Sequence, residues 1–403
     1  MIGTIIEWYD IFIFSTGAIY IGKELFPSTN PVAAILGVLL VFALGFATRP
    51  IGAFVFGHWG DKRGRKYSLI YTLLISGISS GIVGLLPTYQ QIGVATIIIL
   101  VILRLILGFG LGGEWGGAVL LLVENSEKRR AFYSAFIQST VGIGLLIGSA
   151  VFLGLSMTLP SSAMYAYGWR IPFLGSFVMV AVGLAIRLKV SETKLFEEIR
   201  KVGKVLPTPS TVMFKKYWKE LTIGTILAGS VGTVFYVGAI LIPLVYKLNG
   251  AITSSASFLG LIIFAILDII FVFLSGYIAD KVGRRPMLIL SNLLPIIAVY
   301  PAFLFRTYSM FFTMMVLFGI FHGLGYSPLA AMLSEIYPTN IRYTGSSSSY
   351  QYGNSFLGGP ASYVSSDLGA INFFLYPVYM IILAAITIGI VAKVKETKDI
   401  SLE

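Results

Sequence analysis

The sequence predicts an all-α integral membrane protein, with twelve transmembrane helices arranged as two pseudo-symmetric six-helix bundles. Three observations predict it. Of the 403 residues 56% are hydrophobic, and the mean hydropathy of +0.87 is more than a soluble core absorbs. Charged residues make up only 12% of the chain and gather in short clusters between long apolar runs. The second half of the chain also repeats landmarks of the first.

A helix crossing the hydrocarbon needs about 20 mainly apolar residues. Twelve stretches qualify: 3–27, 31–57, 67–87, 94–122, 131–157, 168–189, 220–247, 253–277, 286–305, 309–333, 345–364 and 371–392. The first carries Glu7 and Asp10 and has neither a basic leader nor a small-residue cleavage site, so it reads as a span rather than a removable signal. Span 2 ends in GHWGDKRGRK (57–66), five charges in ten residues, and span 4 ends ahead of a second basic cluster, Lys128, Arg129 and Arg130. The longest polar segment, 190–219, divides six spans (1–189) from six more (220–403). With the N-terminus placed in the cytoplasm, both clusters fall on the inner side. So do Lys281, Arg284, Arg285, Arg342 and the tail lysines 393, 395 and 398, while the outer loops hold little beyond Lys23, Lys247 and Arg306. This positive-inside pattern puts both termini in the cytoplasm of a cell-membrane protein, and it accounts for the net charge of +11 with no nucleic-acid partner.

A shift of 219 residues carries Gly57, Asp61, Gly64 and Arg65 onto Gly276, Asp280, Gly283 and Arg284; a shift of 211 carries Gly108, Gly112 and Glu124 onto Gly319, Gly323 and Glu335. Repeated halves are typical of secondary transporters, whose substrates sit between the halves near the midplane.

These residues also carry a resemblance. The pattern G-x-x-x-D-x-x-G-R-[RK], present after span 2 and again after span 8, resembles the loop signature of the major facilitator superfamily. The segments GTIIEWYDIFIF (3–14), GFATRPIGAFVFGHWGDKRGRK (45–66), LRLILGFGLGGEWGGAVLL (103–121) and GWRIPFL (168–174) are similar to the metabolite:proton symporter family within it. The resemblance covers nearly the whole chain and implies the major facilitator fold. It also implies that Asp61 meets the start of span 11, near Gly345.

A carboxylate is stabilised at a helix N-terminus, so Asp61, with Arg65 paired to Glu124, reads as a cytoplasmic gate that latches in one state and opens in the other. Asp280, Arg284 and Glu335 form the corresponding cluster of the second half. The bland reading is that these charges only fix topology; for the second copy the two readings carry equal weight.

Ionisable groups inside spans are expensive and therefore candidates for function. At 1.5 Å per residue, Asp10, Arg49 and Glu114 all lie roughly 10–12 Å from the inner surface. They are expected to form a cluster of two acids sharing one base, an arrangement suited to carrying a proton. Glu7 is a weaker candidate. Asp268 falls on Arg49 in the repeat with no basic residue identified to neutralise it, which makes it a candidate second proton site. Arg104, above a stripe of Gly108, Gly112 and Gly116, has two readings: it clasps an anionic substrate, or it tunes a proton-carrying acid. Tyr9, Gln138, Tyr236, His322, Tyr326, Gln351 and Asn354 are polar groups near mid-depth and complete the substrate-binding candidates. FLGGP (356–360) is a candidate hinge in span 11.

The reading is a proton-coupled symporter of a small organic metabolite, a carboxylate or zwitterion, working by alternating access as a monomer. A proton antiporter and a transport-dead sensor of the same fold are the alternatives. Span 5 (VGIGLLIGSAVFLG, 141–154) has no proline, and the superfamily's antiporter signature has a Gly-Pro pair there, which favours uptake. No nucleotide-binding loop, nucleophile–base pair or metal-ligand set is present, so neither an enzyme nor a cofactor is expected. With two histidines and no cysteine, no metal site is expected either.

Overall fold

The computed structural model describes residues 2–27, 31–63, 65–124, 126, 128–189, 209–338 and 341–400. All of its regular structure is helical, with no strand among the described residues. Each of the twelve expected stretches is a helix, several of them broken. Span 1 runs Ile2–Thr16 and Ala18–Leu25, bent by 60° at Gly17. Span 2 is Pro31–Ala47 and Arg49–Arg63, span 3 Arg65–Val83, and span 4 Val94–Leu111 and Trp115–Glu124. Spans 5 and 6 are Arg130–Thr158 and Arg170–Lys189. Span 7 passes from Trp218–Tyr236 through a π-helical turn, Val237–Leu241, into Ile242–Leu248. Spans 8, 9 and 10 are Ser254–Val282, Arg284–Leu304 and Tyr308–Glu335. Span 11 runs Arg342–Gly353, a π turn at Asn354–Gly358 and Ala361–Ile371, and span 12 is Val378–Lys393. Of the segment expected to link the halves, 190–208 lies outside the described residues, and Pro209–Lys216 forms a short helix.

Nine described helices are long and apolar enough to cross a bilayer, ten when the bent first pair counts as one span. Span 3 falls short because its apolar part, Leu69–Val83, is brief. Span 11 falls short because SSSSYQYGN (346–354) is polar. That polarity faces protein: Ser346, Ser349, Gln351 and Asn354 are buried, and polar residues in spans belong inside the bundle.

The most extensive pairing joins span 5 to span 8, and the pair that the repeat makes equivalent to it, spans 2 and 11, also packs together. Small residues let the first pair approach. A Cβ on Gly276 would lie 2.6 Å from the Ala131 carbonyl oxygen across the 5–8 crossing, so only glycine fits. The loop glycine Gly283 sits at φ 110°, a left-handed conformation that side chains disfavour; it turns the chain from span 8 into span 9.

Candidate functional site

The charged loop after span 8 builds a network at one end of the bundle. Asp280 accepts hydrogen bonds from the backbone N–H groups of Ala131 (3.1 Å) and Phe132 (2.9 Å) in the first turn of span 5. An anion there meets free donors and the positive end of the helix dipole. Arg284 donates to Asp280 at 2.9 Å and closes a two-pronged pair with Glu335 at 2.8 and 3.2 Å. Arg130 of span 5 lies 3.6 Å from Glu335. Asp280, Arg284 and Glu335 are thus brought together and tied to span 5. The side chains of Asp61, Arg65 and Glu124 lie outside the described residues.

The tail completes this network, and sequence reasoning did not single it out. Glu396 accepts from the N–H groups of Arg284 (2.8 Å) and Arg285 (3.1 Å), capping the start of span 9. Burial alone would raise its carboxyl, but the N–H groups of Arg284, Arg285, Lys398 and Thr397 outweigh it and hold the group below the usual carboxylate range. The Thr397 hydroxyl donates to Glu335 at 2.6 Å, and Arg130 donates to the Ile400 carbonyl at 2.6 Å. Glu396 stands in the run KETK (395–398), and its spacing carries no periodic signal.

The buried charges of the first half separate into two groups rather than the single cluster expected. Asp10 accepts from the Ser176 hydroxyl at 2.5 Å, and its other oxygen has no hydrogen-bond partner. Arg104 is within electrostatic reach of Asp10. Its guanidinium lies 4.2 Å from the centre of the Phe14 ring, with Nε and Nη2 unpartnered. Glu114 does not share Arg49 with Asp10; it pairs with Arg187 of span 6. Spacing along each span gave these residues a common expected depth, but helix rotation turns Asp10 toward Ser176 and Glu114 toward Arg187. Arg49 instead rests 4.2 Å over Phe46, with Nε and Nη1 unpartnered. Glu7 is buried and lies within electrostatic reach of Arg49, Glu114 and Arg187.

Asp268 does have a neighbour in the second half, contrary to expectation. His322 Nδ1 lies 2.7 Å from its Oδ1, and the other carboxylate oxygen has no partner. The two lie 54 residues apart on spans 8 and 10, a pairing that sequence separation hides.

A small cavity lies between the halves, lined by Trp8, Tyr236, His322, Tyr326, Tyr350 and Asn354 among others. Toward the Asp280 end its floor is tied across the bundle. The Trp115 ring stacks on Tyr350 at 3.8 Å, Trp115 donates to Gln138 at 2.9 Å, and Gln138 donates to the Tyr326 carbonyl at 3.1 Å. The hydroxyls of Tyr326 and Tyr350 are 2.6 Å apart. Tyr236, His322, Tyr326 and Asn354 therefore line the cavity, and Gln138 braces its floor. Gln351 donates to the Gly112 carbonyl at 3.3 Å, and Tyr9 is engaged with the Pro172 carbonyl at 2.8 Å. Arg104, Tyr9 and Gln351 do not line the cavity. A second cavity, toward the opposite end, is lined by Ser15, Thr16, Leu39, Pro243, Lys247 and Ser257 among others. No cluster of metal ligands occurs among the described residues.

A bundle of membrane-crossing helices with charges buried at its centre and a cavity between its halves defines a membrane transporter, not an enzyme. The chain belongs to the Major Facilitator Superfamily, whose sequence profile matches residues 1–362 and 227–401, and its relatives lie in the metabolite:proton symporter branch. It is 34% identical to the inner membrane metabolite transport protein YhjE of Escherichia coli, over 100% of this chain and 94% of that protein. It is 28% identical to a citrate-proton symporter of Salmonella typhi, over 91% of this chain and 85% of that one. Among solved structures, the xylose transporter XylE from E. coli, in a partially occluded inward-open conformation, superposes with a TM-score of 0.79 at 20% identity, covering 100% of this chain and 97% of that one. The chain has the major facilitator fold.

Proposed function

We propose that this protein is a proton-coupled symporter that takes up a small organic metabolite, a carboxylate or zwitterion, across the cell membrane. The observation that carries the reading is Asp10. Its carboxylate is fully buried, one oxygen is held by Ser176, the other is unpartnered, and the guanidinium within electrostatic reach, Arg104, has two nitrogens unpartnered. A buried carboxylate so incompletely satisfied is costly when charged, and taking up a proton relieves that cost. Asp268, beside His322, is the matching candidate in the second half, and Glu114 and Arg49 complete the coupling set. The relative named a citrate-proton symporter supports this direction.

Alternating access follows from rocking residues 1–189 against 220–403 about the central cavity. The Asp280 end is cytoplasmic by the positive-inside pattern, as are both termini. In this conformation that end is latched and the cavity floor is shut. The unit of transport is the monomer.

The test uses purified protein in liposomes. Asp10→Asn should abolish accumulation driven by a pH gradient while leaving downhill counterflow partly intact. Undiminished proton-driven accumulation would remove Asp10 from the mechanism. Uptake of substrate into acid-loaded vesicles as their protons leave would instead favour the antiporter.

A further inference from the structure

We propose that the central cavity receives the cationic end of a zwitterionic substrate, so that the transported class is a carboxylate bearing a quaternary or protonated amine rather than a polycarboxylate. This deepens the symport reading and rests on it for the direction of transport. Five aromatic rings line the cavity: Trp8, Phe235, Tyr236, Tyr326 and Tyr350. No lysine or arginine is among the lining residues. The imidazole of the lining, His322, is hydrogen-bonded to the Asp268 carboxylate at 2.7 Å and sits 4.8 Å from Phe235 and 4.6 Å from Tyr326, centroid to centroid. Asp268 itself is fully buried, with one oxygen unpartnered.

Ring faces carry negative electrostatic potential, and they hold a desolvated cation best where a carboxylate stands behind them. An anion would find little here. The Asn354 amide already donates to the Tyr350 carbonyl at 3.0 Å, and the Tyr326 and Tyr350 hydroxyls bond each other. The Tyr236 hydroxyl is unpartnered. Its ring meets Phe46 at 5.5 Å, and the Arg49 guanidinium lies over that same Phe46. Arg49, buried with free Nε and Nη1, is thus one ring away from the cavity, and there it takes the carboxylate end. The two poles of the site match the two poles of a zwitterion.

The experiment compares two ligands of nearly the same shape on the full chain, trimethylglycine and tert-butylacetate, which differ by a charged nitrogen in place of a carbon. Binding is read by the quenching of tryptophan fluorescence and by calorimetry. Trimethylglycine should bind roughly tenfold tighter, the advantage of a desolvated cation on aromatic faces. Trp8→Leu and Tyr326→Leu, made separately, should erase that preference, and Tyr326→Phe should keep it. Equal affinity for the two ligands, or no binding of trimethylglycine by folded protein, overturns the inference. The symport reading fails separately. Proton-driven flux of carboxylates without preference for the charged nitrogen sinks only this inference, and zwitterion binding with no pH-gradient-dependent flux sinks only the coupling.

Discussion

Asp280 at the end of span 8 holds Ala131 at the start of span 5, carboxylate oxygen to backbone nitrogen, at 3.1 Å. The bond crosses from one half of the bundle to the other, and the next residue, Phe132, donates to the same carboxylate. This contact must break for the Asp280 end to open.

Replacing Asp280 with Asn keeps the shape and removes the charge. Hydrogen bonds to a charged group contribute about 1.5–3 kcal/mol, so the balance should move toward the open form by roughly tenfold or more. The chain has no native cysteine, so a single cysteine at buried Ala331, which packs in one cluster with Ala131 and Ala279, reports the opening. Maleimide labelling from the cytoplasmic side should accelerate in Asp280→Asn, and an unchanged rate would show that the contact is only structural.

The tail adds a pH dependence whose sign is set by Glu396. Its carboxyl is held below the usual range in the folded state, so its contribution to the latch is complete above the ordinary carboxylate value of about 4.3. That contribution is lost as the pH falls through the lower folded value. Amide hydrogen exchange at Ala131 and Phe132, the donors to Asp280, divided by the intrinsic rate at each pH, should rise on acidification below about pH 4. Glu396→Gln should raise that exchange at neutral pH and flatten the acid rise; an identical acid limb in the variant would assign the effect to other carboxylates.

Glu114 and Arg187 form a largely buried pair. Removing one partner leaves a charge uncompensated, a loss of about 3–5 kcal/mol. Glu114→Gln and Arg187→Gln should each lower the thermal midpoint in detergent, and the double variant should recover part of it. Additive losses would mean the two side chains do not depend on each other.

Gly276 allows the 5–8 crossing to close, since a Cβ there meets the Ala131 carbonyl at 2.6 Å. Gly276→Val should leave the protein folded by circular dichroism but hold the Asp280 end apart. Cytoplasmic labelling would then be fast and uptake lost, while Gly276→Ala should be intermediate. Normal uptake by the valine variant would show that the crossing has slack.

Much of the architecture was legible before any coordinates. Apolar length marked the spans, the charge pattern marked the loops, and the repeat paired Asp61 with Asp280 and Glu124 with Glu335. The Asp280–Arg284–Glu335 cluster was readable because two of its members are four residues apart across the turn from span 8 to span 9 and the third is marked by the repeat. Partners of the buried charges were not readable. Spacing placed Asp10, Arg49 and Glu114 at one depth, but Ser176 and Arg187 are the residues that meet Asp10 and Glu114. His322 and Asp268 were each noted, and their contact was missed. The tail residues Glu396 and Thr397 carried no pattern that distinguishes a docked segment from a free one.

From the sequence alone came the solvent, the helical spans and the internal duplication, because these follow from hydrophobicity, from the length a span needs and from the charge pattern. Tertiary structure alone decided which face each helix turns inward, and with it every pairing: Glu114 with Arg187, Asp268 with His322, Trp115 with Tyr350. In a bilayer the lipid-facing and protein-facing sides of a helix are both apolar, so the periodicity that reveals rotation in a soluble helix is nearly erased, and packing has to supply the angle.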